Sequence, residues 1–457
     1  MRTLTILVCL ALMGCAQYAK QPDLPALTEP ALPEPPTAWQ TAQQSLGEVE
    51  VGWIAEINDP ALLALVSEAQ QNNRNLQAAE AGVRRAFSLV RQARAALLPG
   101  VNYSAAAAQG GRVADSASDN YSSGLSLNWE LDIWGRVRAS RNAAQYSAES
   151  AQADFVFAQY SLAAAVAQAY FVAIEAALLE EVSAKSLNAL QETVRIVESQ
   201  REVGAADAFD EFLAAANLAT GKATLAQAQG AELLALRALE VLLGRYPAAD
   251  LATPDDLPEV PATPKAGVPS ELLERRPDII AAQLSVASAF SDVGAAKAAR
   301  LPALSLSSSL DITAPRARDA FKTDNGTCSI AAAILGPLFD AGLRRAQVEA
   351  ASATQEQAIA NYTQIALQAF QEVEDSLDQN LVLARRVNAL EEAAVAQNRA
   401  FNLAQLRYEE GETNLLDVLT IQSDTLAADS NLVSARRQQL DEWVRLNLAL
   451  GGHWDTP

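Results

Sequence analysis

The sequence has few of the residues that most often carry metal or nucleophilic chemistry. Among its 457 residues there is one histidine, His453, and there are three cysteines. A His/Cys metal cluster or a Cys–His nucleophile pair is therefore not expected. Carboxylates alone can still do chemistry, so this scarcity disfavours an enzyme without excluding one. No cofactor and no bound metal ion are implied.

Basic residues are also scarce, at 34 Lys+Arg against 55 Asp+Glu, and the formal net charge is −21. Because phosphate contacts need clustered lysines and arginines, this balance argues against a nucleic-acid partner. Aromatic residues make up only 6%, although half of the residues are hydrophobic, mostly alanine and leucine. Such a composition suits long helices packed through small side chains better than a large aromatic core.

The first fifteen residues have the pattern of an export signal. A basic start at Arg2 is followed by an apolar run, Leu4–Leu12, that is too short to cross a bilayer, which needs about 20 residues. The segment Leu12–Cys15 resembles the lipobox of bacterial lipoproteins, which implies cleavage before Cys15 and its acylation. Ala16 follows where the inner-membrane members of that class tend to have Asp, so the outer membrane is favoured. The alternative is a plain secretory signal with an incidental cysteine.

Proline is missing from two long stretches, residues 100–246 and 338–456, and is concentrated between Pro22 and Pro60 and between Pro247 and Pro277. Because proline breaks helix interiors, the gaps predict long helices. The pattern from Arg136 to Arg201 is helical without a break, which would span about 100 Å. We expect a signal peptide over 1–14, an extended leader over 15–60, a first repeat over 61–246, a linker over 247–277 and a second repeat over 278–457.

The chain is a tandem repeat. Leu98–Pro99 matches Leu301–Pro302 at an offset of 203 residues, and Gly204 matches Gly411 at an offset of 207. Each half is predicted to contain a helix, two short strands, a long helix, a break at glycine and a further helix. The fold class is therefore mainly α with a small β portion.

The predicted strands alternate apolar and polar residues. From Tyr121 to Ile133 the odd positions are largely apolar, and the even positions include serine, asparagine and carboxylates; Leu304–Ile312 repeats the pattern. Such alternation is typical of lipid-facing barrel strands, although a soluble sheet resting on helices would also show it. The strands are expected at about 101–108, 121–133, 303–313 and 327–336.

No helix is expected to cross the membrane. The best candidate, Ser161–Leu179, is interrupted by Gln168 and Glu175, and its counterpart in the second half carries four carboxylates. Any crossing is therefore made by strands, and four strands cannot close a barrel, because closed barrels need about eight. The chain is expected to be an obligate oligomer in contact with outer-membrane lipid.

Several long motifs in order resemble the TolC-type outer-membrane efflux factors, in the lipoprotein branch that serves resistance-nodulation-division pumps (the OprM/NodT type). The motifs are Leu127–Arg136, Arg275–Ile279, Gly336–Gly342 and Ala449–Trp454. The resemblance covers essentially the whole mature chain. Gln283, His453 and Cys328 depart from the usual residues of the family, and none of them puts the resemblance in doubt.

The resemblance implies a passive exit duct for drugs or solvents. Three protomers, with four strands each, would form a twelve-stranded barrel in the outer membrane, and the long helices would form a tunnel across the periplasm. A periplasmic adaptor and an inner-membrane pump would open the closed tip of that tunnel. Nothing would be chemically transformed, and an enzyme reading has no site on which to rest.

The resemblance also places the gate at the two glycine breaks, Gly204 and Gly411. Asp417 matches a position whose three copies ring the closed aperture, and Leu416 would narrow it with an apolar collar. Asp210 and Tyr408 match a hydrogen-bonded pair that ties neighbouring helices together. Since Asp210 and Asp417 are repeat equivalents, each could instead cap a helix start.

Two further positions at the tip differ from the family. Thr420 stands in place of a second acidic residue, and Thr413 in place of a basic residue that helps to lock some relatives. The closed state is therefore expected to be held less tightly or by other contacts. If the surplus negative charge faces the lumen, cationic cargo would be favoured.

Two alternatives stay open. Within the channel class, the chain could serve heavy-metal export or type I protein secretion. From another class, it could be a structural coiled-coil lipoprotein of the periplasm, which sustained heptads with charged flanking positions would favour.

Overall fold

The computed structural model describes residues 18–40, 52–110 and 118–452. The signal peptide, Cys15 and His453 lie outside the described residues. The helices are α1 Leu24–Thr28, α2 Trp53–Glu56, α3 Pro60–Asn72, α4 Arg74–Ala95, α5 Arg136–Glu202, α6 Ala208–Leu242, α7 Pro269–Arg275, α8 Pro277–Ala298, α9 Leu343–Glu409 and α10 Leu415–Ala449. The strands are β1 Gly100–Gly110, β2 Ser118–Leu131, β3 Ala303–Ala314 and β4 Gly326–Leu335.

The two halves repeat each other helix by helix. Helices α4 and α8 have 22 residues each, α5 and α9 have 67 each, and α6 and α10 have 35 each. In both halves two strands lie between the first and second of these helices. The predicted order of helix, two strands, long helix and further helix is therefore confirmed, and so is the mainly helical fold class.

The leader is not extended along its whole length, in contrast to the expectation from its prolines. Asp23 caps α1 by accepting a hydrogen bond from the amide of Ala26, and Pro25 stands in the first turn, where its missing N–H costs nothing. The indole of Trp39 is buried and donates to the carbonyls of Ala266 and Gly267, both at 3.1 Å. A proline in the leader therefore occupies the first turn of a short helix, where it does not break the helix.

The four strands form one antiparallel sheet in the order β1-β2-β3-β4. The register places Tyr103, Leu125, Leu310 and Cys328 in one row across the four strands. The adjacent row, on the opposite face, contains Asn102, Ser126, Ser309 and Ser329. The sheet thus has an apolar and a polar face, as the alternation predicted, and the free Cys328 belongs to the apolar one. Strands β1 and β4 form its two edges, and the side chains of β4 are exposed along its whole length.

The described residues fall into two compact units, each built from separate segments of the chain. The described residues of one unit lie within the segments 1–34, 80–154 and 278–366 and include the sheet. Those of the other unit lie within the segments 35–79, 155–277 and 367–457. The core of this second unit includes Trp53 and Trp443, whose rings meet edge to face at 5.9 Å. The hydroxyl of Tyr170 in the same core donates to Asp59 at 2.8 Å.

Two described helices, α5 and α8, contain a stretch long and apolar enough to cross a membrane. In α5 more than half of that stretch is buried inside the protein, including Val166, Tyr170 and Ile174. Core helices of soluble units pass the same test of length and composition. The apolar stretch of α5 is therefore accounted for by packing within the second unit.

A charged cluster joins α5 to α10 in the second unit. Arg437 lies 2.6 Å from Glu175 and also pairs with Asp441, one turn further along α10. Burial and, to a smaller extent, the charge of Glu175 raise the pKa of Asp441 to about 6, against the opposing effects of Arg437 and Arg445. Burial therefore outweighs the ion pair with Arg437, and the second carboxylate on the same guanidinium adds to the rise in pKa.

Candidate functional site

The two predicted gate segments are the turns that join α5 to α6 and α9 to α10. Both turns use the same backbone design, with Gly204 at φ 76° and Gly411 at φ 77°. The amide of Gly204 donates to the carbonyl of Arg201 at 3.0 Å, and the next amide donates to Gln200 at 2.8 Å. In the second turn Gly411 bonds to Tyr408 and Glu412 to Arg407 in the same way. This is the Schellman ending of a helix, which needs the left-handed conformation that glycine adopts without strain.

The helix starts after these turns are capped by residues that the sequence analysis did not single out. Asp207 accepts from the amides of Phe209 and Asp210 at 2.8 and 3.1 Å, and Asp210 reaches back to the amide of Asp207 at 3.4 Å. In the second turn Asn414 accepts from the amide of Asp417 at 2.9 Å. The N-caps are therefore Asp207 and Asn414. Asp210, the third residue of α6, completes a capping box with Asp207 and so helps to cap that helix start, as the alternative expected. Asp417 is the third residue of α10, and its carboxylate accepts from the side chain of Asn414 rather than from its backbone.

The carboxylate of Asp417 is held within its own turn by neutral donors. The hydroxyl of Thr413 donates to Oδ2 of Asp417 at 3.1 Å, and the side-chain Nδ2 of Asn414 donates to the same oxygen at 2.9 Å. Thr420 directs its hydroxyl to the backbone carbonyl of Leu416 at 2.8 Å. Thr413 therefore binds Asp417 through a neutral hydroxyl, and how tightly the closed state is held stays a prediction.

Tyr408 is buried in an apolar cluster between the two turns, which includes Val197, Leu415, Val418 and Leu419. Burial raises the pKa of Tyr408, and the charge of Asp210 adds to that rise. Among the described residues the two share no direct hydrogen bond. The predicted hydrogen bond between Asp210 and Tyr408 is therefore not formed within one chain.

The exposed apolar side chains at the tip include Leu416, which is 57% exposed. Its repeat equivalent, 207 residues earlier, is Phe209, which is 67% exposed. Phe212 and Val203 are exposed in the first turn as well. Of these side chains only Leu416 was predicted from the sequence, although the constant offset between the halves identifies Phe209 as its equivalent.

The two turns differ in what stabilises them. In the first turn Arg201 forms an ion pair with Glu211. The equivalent positions in the second turn are Tyr408 and Val418, both buried in the apolar cluster. At these two equivalent positions the first turn therefore has a partly exposed ion pair and the second has buried apolar packing.

In the part of the chain that the structure describes, no group of three or more His, Cys, Asp or Glu side chains is arranged to hold a metal ion. The polar side chains of the two turns instead form hydrogen bonds to helix ends and to one another.

The sequence matches the family model described as outer membrane efflux protein over residues 65–245 and 268–452. The pyoverdine export outer membrane protein OpmQ of Pseudomonas aeruginosa is 32% identical over 418 residues, which is 88% of each chain. The toluene efflux pump outer membrane protein TtgF of Pseudomonas putida is 30% identical over 99% of this chain and 97% of its own. The structure of the outer-membrane channel OprN superposes with a TM-score of 0.83 at 30% identity, covering 96% of this chain and all of that one. These relatives are channel proteins, and the chain belongs to the outer membrane efflux protein family.

Proposed function

We propose that three copies of this outer-membrane efflux protein assemble into the passive exit duct of a tripartite pump. The observation that carries the proposal is a four-stranded sheet with one polar face, one apolar face and two free edges, β1 and β4. Free strand edges are prohibitively costly in lipid. Three sheets joined edge to edge leave none, with the apolar faces toward lipid and the polar faces toward water.

The helices support the periplasmic part of the proposal. The 67 residues of α5 or α9 correspond to about 100 Å of helix. Helices of this length suit a tunnel that meets a periplasmic adaptor and an inner-membrane pump at its far end. Such a duct moves cargo without transforming it, so the protein is not an enzyme in this proposal. An acyl chain on Cys15 would add a lipid anchor beside the strands.

The assembly can be tested with the native Cys328. Ala105 lies on β1 on the same face of the sheet as Cys328 on β4, and Ala106 lies on the other face. Cysteine introduced at position 103, 105 or 107 should form disulfides between chains under mild oxidation in membranes and give trimers without reductant. Ala106→Cys is the matched control and should crosslink poorly. A monomeric mass in detergent, together with no crosslink from any position, would contradict the proposal.

We further propose that the two turns form the gate of this duct. The donors to Asp417, the exposed Leu416 and the effect of the Asp210 charge on the buried Tyr408 support it. The turns at Gly204 and Gly411 reverse the chain at the ends of both long helices, which puts these side chains at one end of the helical part.

For cargo we propose drugs or organic solvents, in keeping with the toluene pump relative. A deletion strain should become sensitive to toluene and lipophilic antibiotics, and the plasmid-borne gene should restore resistance. Silver and copper salts in the same assay test the metal-export alternative. If the deletion strain became sensitive to metal salts alone, metal ions would replace drugs and solvents as the proposed cargo. If its sensitivity to all of these compounds were unchanged, and no redundant channel were present, the result would count against efflux.

A further inference from the structure

The strands carry negative charge and no positive charge. The four segments Gly100–Gly110, Ser118–Leu131, Ala303–Ala314 and Gly326–Leu335 contain neither lysine nor arginine. Their charged residues are Asp119, Glu130 and Asp311. A sheet whose fixed charges all have one sign creates a potential of that sign along its wet face.

The register separates these three carboxylates. Asp311 pairs across the sheet with Gly124 and Thr327, within the polar face, and Glu130 shares that face through Ser305. Asp119 pairs with Gln109 and belongs to the other face, by alternation with Tyr121. Two of the three acidic side chains thus lie on the polar side of the sheet.

Only one of these two lacks a cationic partner. Glu130 is neutralised by Arg136, with an N–O distance of 2.6 Å. Among the described residues Asp311 forms no ion pair, and its side chain is exposed. Asp311 is thus the uncompensated charge of the polar face.

The neighbouring strand is shaped to accommodate Asp311. A Cβ atom at Gly124 would lie only 2.6 Å from Oδ1 of Asp311 and 3.4 Å from the hydroxyl oxygen of Ser104. The glycine therefore leaves space for the carboxylate to lie across β2 toward β1. On the other side, the hydroxyl of Thr327 donates to the backbone carbonyl of Asp311 at 3.1 Å.

We infer that Asp311 makes the strand-lined part of the duct selective for cations, so that it passes cationic and neutral amphiphiles in preference to anions. The inference rests on the proposed function, because it needs the polar faces of three sheets to enclose one passage. Three copies of Asp311 then stand at one level, with hydroxyl and amide groups around them and no basic side chain on any strand. A charge ring of this kind acts within a Debye length, about 30 Å at 0.01 M salt.

The test is the reversal potential of trimers in planar bilayers under a KCl gradient at low ionic strength. The wild-type channel should prefer K⁺ over Cl⁻, and Asp311→Asn should lower the permeability ratio by about twofold. Asp311→Glu should keep it. Asp119→Asn removes the same charge from the other face and is the matched control, expected to leave the ratio nearly unchanged. Gly124→Ala displaces the carboxylate without removing it and should give an intermediate ratio.

A local readout separates Asp311 from acidic residues elsewhere in the duct. Hexaamminecobalt(III) added on the side of the strands should block the wild-type current, and Asp311→Asn should weaken that block. No cation preference in the wild type, or an equal effect of Asp311→Asn and Asp119→Asn on ratio and block, would overturn the inference. A protein that forms no conducting oligomer would contradict the proposed function itself.

Discussion

Substitution of Gly244 by alanine should destabilise the protein more than the same change at Gly204 or Gly411. Gly244 follows α6 at φ 75°, and a Cβ there would lie 2.5 Å from the backbone oxygen of Asn72 and 3.0 Å from its carbonyl carbon. Gly204 and Gly411 have nearly the same φ, but nothing lies within 4 Å of their Cβ positions. The three glycines therefore share the conformational cost and differ in the steric one.

The magnitudes follow from this difference. An alanine in the left-handed region costs about 1–2 kcal/mol, and that is the whole expected loss for Gly204→Ala and Gly411→Ala. At Gly244 the clash is with backbone that cannot rotate away, so an overpacking cost of about 1–3 kcal/mol is added. The total for Gly244→Ala is about 3 kcal/mol.

The assay is the thermal midpoint of detergent-solubilised protein, followed by far-ultraviolet circular dichroism at one fixed scan rate. Gly230→Ala is the control, because this glycine lies inside α6 with φ in the helical range and no atom within 4 Å of its Cβ position. Its midpoint should equal or exceed that of the wild type. Equal losses at Gly244 and Gly204 would refute the steric part of the reasoning, and no loss at any of the three would refute the conformational part.

Three further predictions concern charged and polar side chains. Asp417→Ala removes the acceptor of two hydrogen bonds in the second turn, so it should raise single-channel conductance and sensitivity to large antibiotics; no change in either would leave Asp417 a purely structural role. Tyr408→Phe keeps the buried ring but loses the hydroxyl near Asp210, so the thermal midpoint should change little while conductance rises; a closed channel identical to the wild type would contradict this. Asp441 has a folded-state pKa of about 6 against an ordinary 3.8, so the unfolded chain loses this proton first and stability falls as pH rises from about 4 to 6, by ~3 kcal/mol at most. Asp441→Asn should flatten that part of the thermal-midpoint profile, and an unchanged slope would show that other groups cause it.

The features that the sequence predicted are those that depend on local periodicity. The long helix from Arg136 follows from a run without proline, and the equal halves follow from a constant offset. The strand predicted from the alternation at Tyr121 is confirmed, because in a strand with one polar and one apolar face the side-chain type must alternate from residue to residue.

The features that the sequence did not predict depend on choices between near neighbours or on distant contacts. Asp207 and Asp210 both suit a helix start, and only the structure distinguishes the N-cap from the third residue. The space that Gly124 leaves for Asp311 depends on the register between β2 and β3, which the alternation alone leaves free to shift by two residues. The burial of Trp39 against residue 266 joins segments more than two hundred residues apart, which no local pattern indicates.

The unequal turns have a consequence for symmetry. Three copies of a chain with two matched halves would surround the tunnel axis with six nearly equivalent helix pairs. The turns that end these pairs would alternate between the Arg201–Glu211 ion pair and the apolar packing of Tyr408 and Val418 in their cluster. Ionic strength would act on one set of three and leave the other set almost untouched, because salt screens exposed charges and not apolar packing. The assembly would therefore be nearly sixfold symmetric in its helices, but the response of its turns to salt concentration would have only threefold symmetry.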